Sequence, residues 1–135
     1  MSRILVDTSA YSAFFRGDAR AKETISTCDE ICLNPVVVGE LLSGFSRGRQ
    51  RLKNEQELEE FLATPRVRIL PIDEETSIRY AAILAGLWRA GTPIPTNDIW
   101  IAASAMQHGL EVLTGDAHFS KVAQIVVKPL VEPAQ

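Results

Sequence analysis

The sequence has little cysteine, and this excludes a structural zinc site. Its two cysteines, Cys28 and Cys32, stand in a Cys-x3-Cys arrangement without the second pair of ligands that such a site needs. We therefore expect both to be buried, reduced thiols in a protein that is stabilised by its hydrophobic core.

Long apolar runs are also missing from the sequence. The run near the N-terminus, Ile4 to Val6, is too short for a signal peptide, and no later stretch approaches the roughly 20 apolar residues of a membrane span. We expect no membrane association and a cytoplasmic location. With 135 residues and 46% hydrophobic content, the chain is expected to form a single domain over residues 1–135.

An excess of basic charge, the usual signature of a nucleic-acid-binding protein, is absent as well. The 14 basic and 17 acidic residues give a formal net charge of -3. Nucleic-acid affinity depends on the neutralisation of phosphates, so this total argues against an RNA partner. If four of the acids held two divalent cations, however, the total would rise to about +1. Net charge therefore does not exclude a phosphate-rich substrate.

Short apolar runs alternate with helical patterns along the chain. The patterns predict strands at residues 3–7, 30–33, 67–70, 111–114 and 125–128, and helices at 10–16, 19–27, 36–47, 51–63, 74–90, 97–108 and 117–122. Such alternation is typical of a mostly parallel sheet that is covered by helices on both faces. The predicted fold is a three-layer α/β/α domain with five strands. In the 51–63 helix, the side chains expected to point inward are Leu52, Leu58, Phe61 and Leu62.

Three aspartates stand where the functional edge of such a sheet is expected. Asp7 ends the first strand, Asp116 follows the fourth, and Asp98 lies in the first turn of an apolar helix. In open parallel sheets, the functional crevice lies beyond the carboxyl ends of the strands. Taken singly, each aspartate also has a structural explanation, because aspartate commonly caps the start of a helix.

Glu40 is the fourth candidate, and its helical position separates it from an ordinary surface acid. It neighbours Val36, Val37 and Gly44 on its helix, so its carboxylate is expected beside the buried stripe. A carboxylate there is costly unless it is paired or coordinates a metal. The sequence offers few basic neighbours, which favours coordination, and a structural salt bridge remains the alternative.

Four carboxylates in one crevice would repel each other unless a cation neutralised them. Oxygen ligands select hard cations such as magnesium or manganese, the ions that enzymes use on phosphate substrates. Asp7, Glu40, Asp98 and Asp116 therefore predict hydrolysis of a phosphodiester by metal-activated water. His118, just after Asp116, could approach the scissile phosphate, although a surface role is the simpler expectation.

Four segments together resemble the PIN-domain nucleases, specifically the VapC toxins of toxin-antitoxin pairs. They are Asp7-Thr-Ser after an apolar strand, Val-Val-Val-Gly-Glu40-Leu, Asn97-Asp98-Ile-Trp-Ile-Ala-Ala, and Leu113-Thr-Gly-Asp116-Ala-His-Phe. The resemblance runs from residue 3 to about residue 128. It implies four acids that bind Mg²⁺, with Mn²⁺ as a substitute, and endonuclease cleavage of transfer or ribosomal RNA. It also implies a homodimer and a cognate VapB-type antitoxin.

Two other classes fit parts of the pattern. A haloacid-dehalogenase-type phosphotransferase would also place an aspartate after the first strand, but it needs a second acid at the position of Ser9. A non-catalytic regulatory module that binds nucleic acid or protein would use the same acids only as helix caps. Metal binding discriminates the module from the nuclease. The basic cluster of Arg47, Arg49, Arg51 and Lys53 is the candidate contact for the RNA backbone.

Overall fold

Five parallel strands form the centre of the computed structural model, which describes residues 1–130. The strands are β1 (Arg3–Val6), β2 (Glu30–Leu33), β3 (Val67–Ile69), β4 (Glu111–Thr114) and β5 (Val126–Pro129). They lie in the order β3-β2-β1-β4-β5, and every neighbouring pair is parallel. This arrangement confirms the predicted α/β fold with a five-stranded sheet.

Helices connect the strands, as parallel pairing requires. They are α1 (Thr8–Phe15), α2 (Ala19–Thr27), α3 (Pro35–Ser46), α4 (Arg51–Leu62), α5 (Glu74–Ala90) and α6 (Thr96–His108). A short 3-10 helix, Ala117–Lys121, joins β4 to β5. Among the described residues, none of the helices has the length and apolar character needed to cross a bilayer.

The three inner strands are buried because their sequences are continuous apolar runs. Leu5 of β1 lies between Cys32 of β2 and Val112 of β4, and all three side chains are fully buried. Continuous runs of this kind suit a sheet that is covered on both faces. Of the two cysteines, Cys32 is buried as expected, whereas Cys28 at the end of α2 is only partly buried.

The strand order places a crevice at the carboxyl ends of β1 and β4. β1 continues into α1 while its neighbour β4 continues into the 3-10 helix, so the chain order of the sheet reverses between them. Ligands of open parallel sheets bind at such a switch point. Val6 pairs with Leu113, so the residues that follow both strands emerge side by side.

The predicted inner face of α4 is wrong at one position. Leu58 is buried, and Phe61 and Leu62 are half-buried, but Leu52 is 81% exposed. At 3.6 residues per turn, six residues of helix rotate a side chain by roughly 120° away from the starting face. Leu52 therefore cannot share the face of Leu58.

Candidate metal centre

Asp7 lies at the end of β1 and caps helix α1. Its Oδ1 accepts a hydrogen bond from the backbone N–H of Ala10 at 2.8 Å, and its Oδ2 accepts one from Thr114 Oγ1 at 2.5 Å. Ser9 Oγ donates to the same carboxylate at 2.8 Å. Burial raises the pKa of Asp7 despite these hydrogen bonds, and the charge of Asp116 raises it further.

The turn after β4 is fastened to Asp7 by two hydroxyl groups. Thr114 Oγ1 accepts from the backbone N–H of Asp116 at 2.8 Å, and Ser9 Oγ accepts from that of Gly115 at 2.9 Å. A Cβ at Gly115 would lie 3.2 Å from the Leu130 side chain, so the turn packs closely against the residue that follows β5. Ser9 and Thr114 thus fix the position of Asp116 relative to Asp7.

Asp98 differs from the other acids because protein groups do not satisfy its carboxylate. It lies in the first turn of α6 with 8% exposure. Among residues 1–130, no hydrogen-bond donor reaches this carboxylate, and its one polar contact is an imidazole nitrogen of His118 at 3.2 Å. Burial raises the pKa of Asp98 to about 6, and the charge of Asp116 adds to the shift.

Other charged groups make smaller contributions to the pKa of Asp98. His118 lowers the pKa of Asp98, whereas Glu40 and Asp7 raise it. These effects require that the charges lie within electrostatic reach of one another. Direct contacts agree: His118 lies against both Asp98 and Asp116, and Asn97 at the start of α6 binds Glu40. The structure brings Asp7, Glu40, Asp98 and Asp116 to one edge of the sheet, the acidic edge.

Glu40 is half-buried on α3, and both of its oxygens accept hydrogen bonds from neutral donors. Thr8 Oγ1 donates to Oε1 at 2.7 Å, and Asn97 Nδ2 donates to Oε2 at 3.3 Å. The alternative of a structural salt bridge is not observed, since no basic side chain pairs with Glu40 within the described part of the chain. No described basic group therefore offsets the carboxylate of Glu40 beside the other three acids.

Asp116 begins the 3-10 helix and contacts the imidazole that follows it. Its Oδ1 accepts from the backbone N–H of His118 at 2.9 Å, and His118 Nδ1 lies 2.9 Å from the same oxygen. Asp98, Asp116 and His118 each offer one ligand atom, and these atoms all lie within 4.8 Å of one another. The distance is short enough for one ion to contact all three side chains.

The donor set fits a divalent cation. Four carboxylates from four different elements lie at the acidic edge, and that of Asp98, a residue with 8% exposure, receives no hydrogen bond within residues 1–130. Buried charges of this kind are paired or coordinate metals. Oxygen donors suit magnesium and manganese, which are hard cations.

The fold and the position of this acidic edge agree with one known family. The family model described as PIN domain matches residues 4–125. The chain therefore belongs to the PIN-domain family.

Similar proteins show to which group within that family the chain belongs. The chain is 31% identical over 127 residues to Ribonuclease VapC of Rickettsia bellii, covering 92% of this chain and 93% of that protein. It superposes on FitAcB from Neisseria gonorrhoeae with a TM-score of 0.77 and 30% identity, covering 94% of this chain and 97% of that one. VapBC-5 from Mycobacterium tuberculosis, a member of the VapBC family of toxin-antitoxin systems, gives a TM-score of 0.77 at 24% identity, covering 96% and 99%. Within the PIN-domain proteins, the chain belongs with the VapC ribonucleases.

Sequence reasoning missed two features of this site. The Thr8 hydroxyl was not identified as a partner of Glu40, and His118 was expected on the surface although its Nδ1 contacts two of the acids. The spacing of His118 only two residues after Asp116 was the available signal, because a tight turn keeps such residues close.

Proposed function

We propose that this protein is a metal-dependent endoribonuclease and the toxin of a VapBC-type toxin-antitoxin pair. The observation that carries the proposal is the carboxylate of Asp98, which lies beside other acids in a residue with 8% exposure and receives no hydrogen bond within residues 1–130. An arrangement of this kind lowers the stability of the protein unless it binds a cation. If the acids had only a structural role, nothing would compensate for the stability that the Asp98 carboxylate costs.

The ligands in this proposal are Asp7, Glu40, Asp98 and Asp116, and the ion is Mg²⁺ or Mn²⁺. A divalent cation at such a site supplies a nucleophile from water at neutral pH and stabilises the charge of the phosphodiester transition state. The chain itself supplies the positioning. Ser9 holds Asp7 and the backbone of Gly115 together, so these two parts of the site are positioned before the ion binds.

A groove that leads away from Glu40 supports an RNA substrate. It has a volume of about 600 Å³, and Thr8, Glu40, Arg47 and Asn97 are among the residues that line it. Arg47 is exposed there and can contact a phosphate. Arg51, by contrast, pairs with Glu55 at 2.6 Å, so part of its charge is already neutralised. We therefore place the RNA backbone along Arg47.

The biological part of the proposal rests on the named relatives. Ribonuclease VapC and VapBC-5 support a toxin that is controlled by a VapB-type antitoxin. We further propose a homodimer of single-domain chains over residues 1–135 that acts in the cytoplasm on transfer or ribosomal RNA. Expression without the antitoxin should arrest growth, and Asp7→Ala should restore it. Arrest by both proteins at equal levels would contradict the toxin assignment.

The decisive experiment measures metal binding and RNA cleavage on the same preparations. Calorimetry with Mn²⁺ at pH 7.5 and sequencing of cleaved RNA ends should show binding and site-specific cleavage by the wild type. Both should be lost in Asp98→Asn. The matched control is Asp73→Asn, since Asp73 caps α5 through the backbone N–H of Thr76 at 3.1 Å and does not belong to the acidic edge.

The same experiment separates the nuclease from the non-catalytic module. Asp7 and Asp116 do cap helices, as the module requires. A wild-type protein that binds no Mn²⁺, or an Asp98→Asn variant that binds it unchanged, would favour the module over the nuclease.

A further inference from the structure

His118 occupies an unusual position for a residue whose ring is 44% exposed. Its Nδ1 atom is buried and lies 2.9 Å from Asp116 Oδ1 and 3.2 Å from Asp98 Oδ2. Neither contact has the geometry of a hydrogen bond, so this nitrogen has no hydrogen-bond partner. The imidazole therefore directs one nitrogen into the space between the two acids.

The direction of that nitrogen suits coordination. An imidazole binds a metal through an unprotonated ring nitrogen, whose lone pair lies in the plane of the ring. At Nδ1 of His118, this in-plane direction is aimed at neither carboxylate oxygen, because neither contact has the geometry of a hydrogen bond. The absence of that geometry, together with the buried carboxylate of Asp98, points to a cation as the shared partner of all three groups.

We propose that His118 is a ligand of the metal and that it makes the site prefer manganese and later first-row ions over magnesium. This inference rests on the proposed function, because it concerns the same ion. Carboxylate oxygens alone suit Mg²⁺, whereas imidazole suits transition metals, and affinity for nitrogen-containing sites rises from Mn²⁺ to Co²⁺. One nitrogen among oxygen donors therefore shifts the preference of the site without changing its location.

Pulsed EPR of the Mn²⁺-loaded protein tests the ligand directly. The chain has two histidines, His108 and His118, so the origin of a nitrogen signal can be assigned by two substitutions. His108 is the matched control, since it ends α6 while Asp98 lies in the first turn, about 15 Å away along the helix axis. We expect ¹⁴N coupling in the wild type, its loss in His118→Gln, and its retention in His108→Gln.

Calorimetry with single metals tests the selectivity. In His118→Gln, we expect the affinity to fall at least about tenfold for Co²⁺, less for Mn²⁺, and under about threefold for Mg²⁺. We expect this variant to fold because one side of the His118 ring is exposed. Circular dichroism checks the fold. Equal losses for all three ions would overturn the selectivity.

The outcomes separate this inference from the proposed function. Wild-type protein that binds Mn²⁺ without ¹⁴N coupling would overturn the role of His118 as a ligand and leave the nuclease intact. No binding of Mn²⁺ by the wild type would overturn both. The wild-type spectrum alone decides the ligand role, so the result does not depend on whether a variant folds.

Discussion

Two neighbouring strands end in the same way and yet serve different purposes. Asp7 follows β1 and caps α1, and Asn34 follows β2 and caps α3. Both side chains accept a hydrogen bond from the backbone N–H three residues later, at 2.8 Å and 3.1 Å. As helix caps, the two residues are equivalent.

Their remaining surroundings differ. Asn34 is fully buried, and its amide also donates to Trp100 O at 3.2 Å and to Ser104 Oγ at 2.9 Å, so all of its polar atoms have partners. Asp7 carries a charge next to Asp116, and burial raises its pKa. At a third cap, Asp73, hydrogen bonds led by that from Thr76 lower the pKa. A functional acid is thus marked by a pKa that burial and a neighbouring acid raise, and not by the cap itself.

Removing one charge from the acidic edge should have the largest effect. Asp116→Asn keeps an oxygen that can cap the 3-10 helix but removes a ligand of the proposed metal. We expect RNA cleavage to fall at least about 1000-fold, because metal ions supply several kcal/mol of transition-state stabilisation. The rate of cleavage of a labelled RNA measures this.

The control for that variant is another helix cap. Asp18 caps α2 through the backbone N–H of Ala21 at 2.9 Å. Asp18→Asn should retain cleavage within about twofold of wild type. Equal losses in both variants would show that the acids act through the fold.

The opposite result, a loss of stability without a loss of metal binding, is expected at the end of β2. Asn34→Ala removes the cap of α3 and leaves the buried Ser104 hydroxyl without its partner. We expect the free energy of unfolding to fall by about 2–4 kcal/mol. Mn²⁺ affinity should be unchanged under conditions where the variant remains folded.

Urea unfolding and calorimetry on this variant measure both quantities. Loss of metal affinity with little loss of stability would reverse the assignment of the two strand ends.

The hydroxyl that orients Glu40 should have an intermediate effect. Thr8→Val removes the 2.7 Å hydrogen bond to Oε1 with little change of volume. Partners that orient metal ligands are worth about 10–100-fold in metal affinity, so we expect roughly a tenfold loss for Mn²⁺. Thr27→Val, at a threonine that bonds only its own helix backbone, should bind Mn²⁺ like the wild type.

The smallest effect concerns the stability of the metal-free protein, which should rise when the charge of Asp98 is removed. The folded-state pKa of Asp98 is about 6, above its ordinary value of 3.8. Above about pH 6 the carboxylate is charged in both states and its burial lowers stability, whereas below about pH 4 it is protonated in both and the cost disappears. Metal-free protein should therefore lose this part of its stability as the pH rises from 4 to 6.

Asp98→Asn should remove that cost. We expect a gain on the order of 1 kcal/mol at pH 7, reduced from the full value of the pKa shift by solvent screening, and a smaller gain at pH 4. Thermal unfolding in the presence of a chelator measures it. A variant less stable than wild type at pH 7 would show that Asp98 has a stabilising role.

Much of the fold could be predicted from the sequence because the signals for strands and helices are local. Apolar runs, a helix-capping residue and a following helical period lie within a few residues of each other, as at Asp7 and Asn34, and they defined the strands and helices. The exposed Leu52 shows the limit, since helical phase must be followed residue by residue.

Parts of the site depend on contacts between distant segments. The partner of Glu40 lies 32 residues away in the sequence at Thr8, and the contact of His118 with Asp98 requires α6 and the 3-10 helix to meet. No local pattern encodes such distances. Three of the acids could be identified because they follow strands or begin a helix at the predicted functional edge, and Glu40 because it neighbours an apolar stripe, whereas hydroxyl and imidazole groups are common at surfaces.

Anomalous diffraction from crystals soaked in Mn²⁺ at pH 7.5 would test the central claim most directly. The strongest peak should lie among the carboxylates of Asp7, Glu40, Asp98 and Asp116, with ligand oxygens about 2.1 Å away. A structure without a peak there, while Mn²⁺ is bound elsewhere or not at all, would contradict the account.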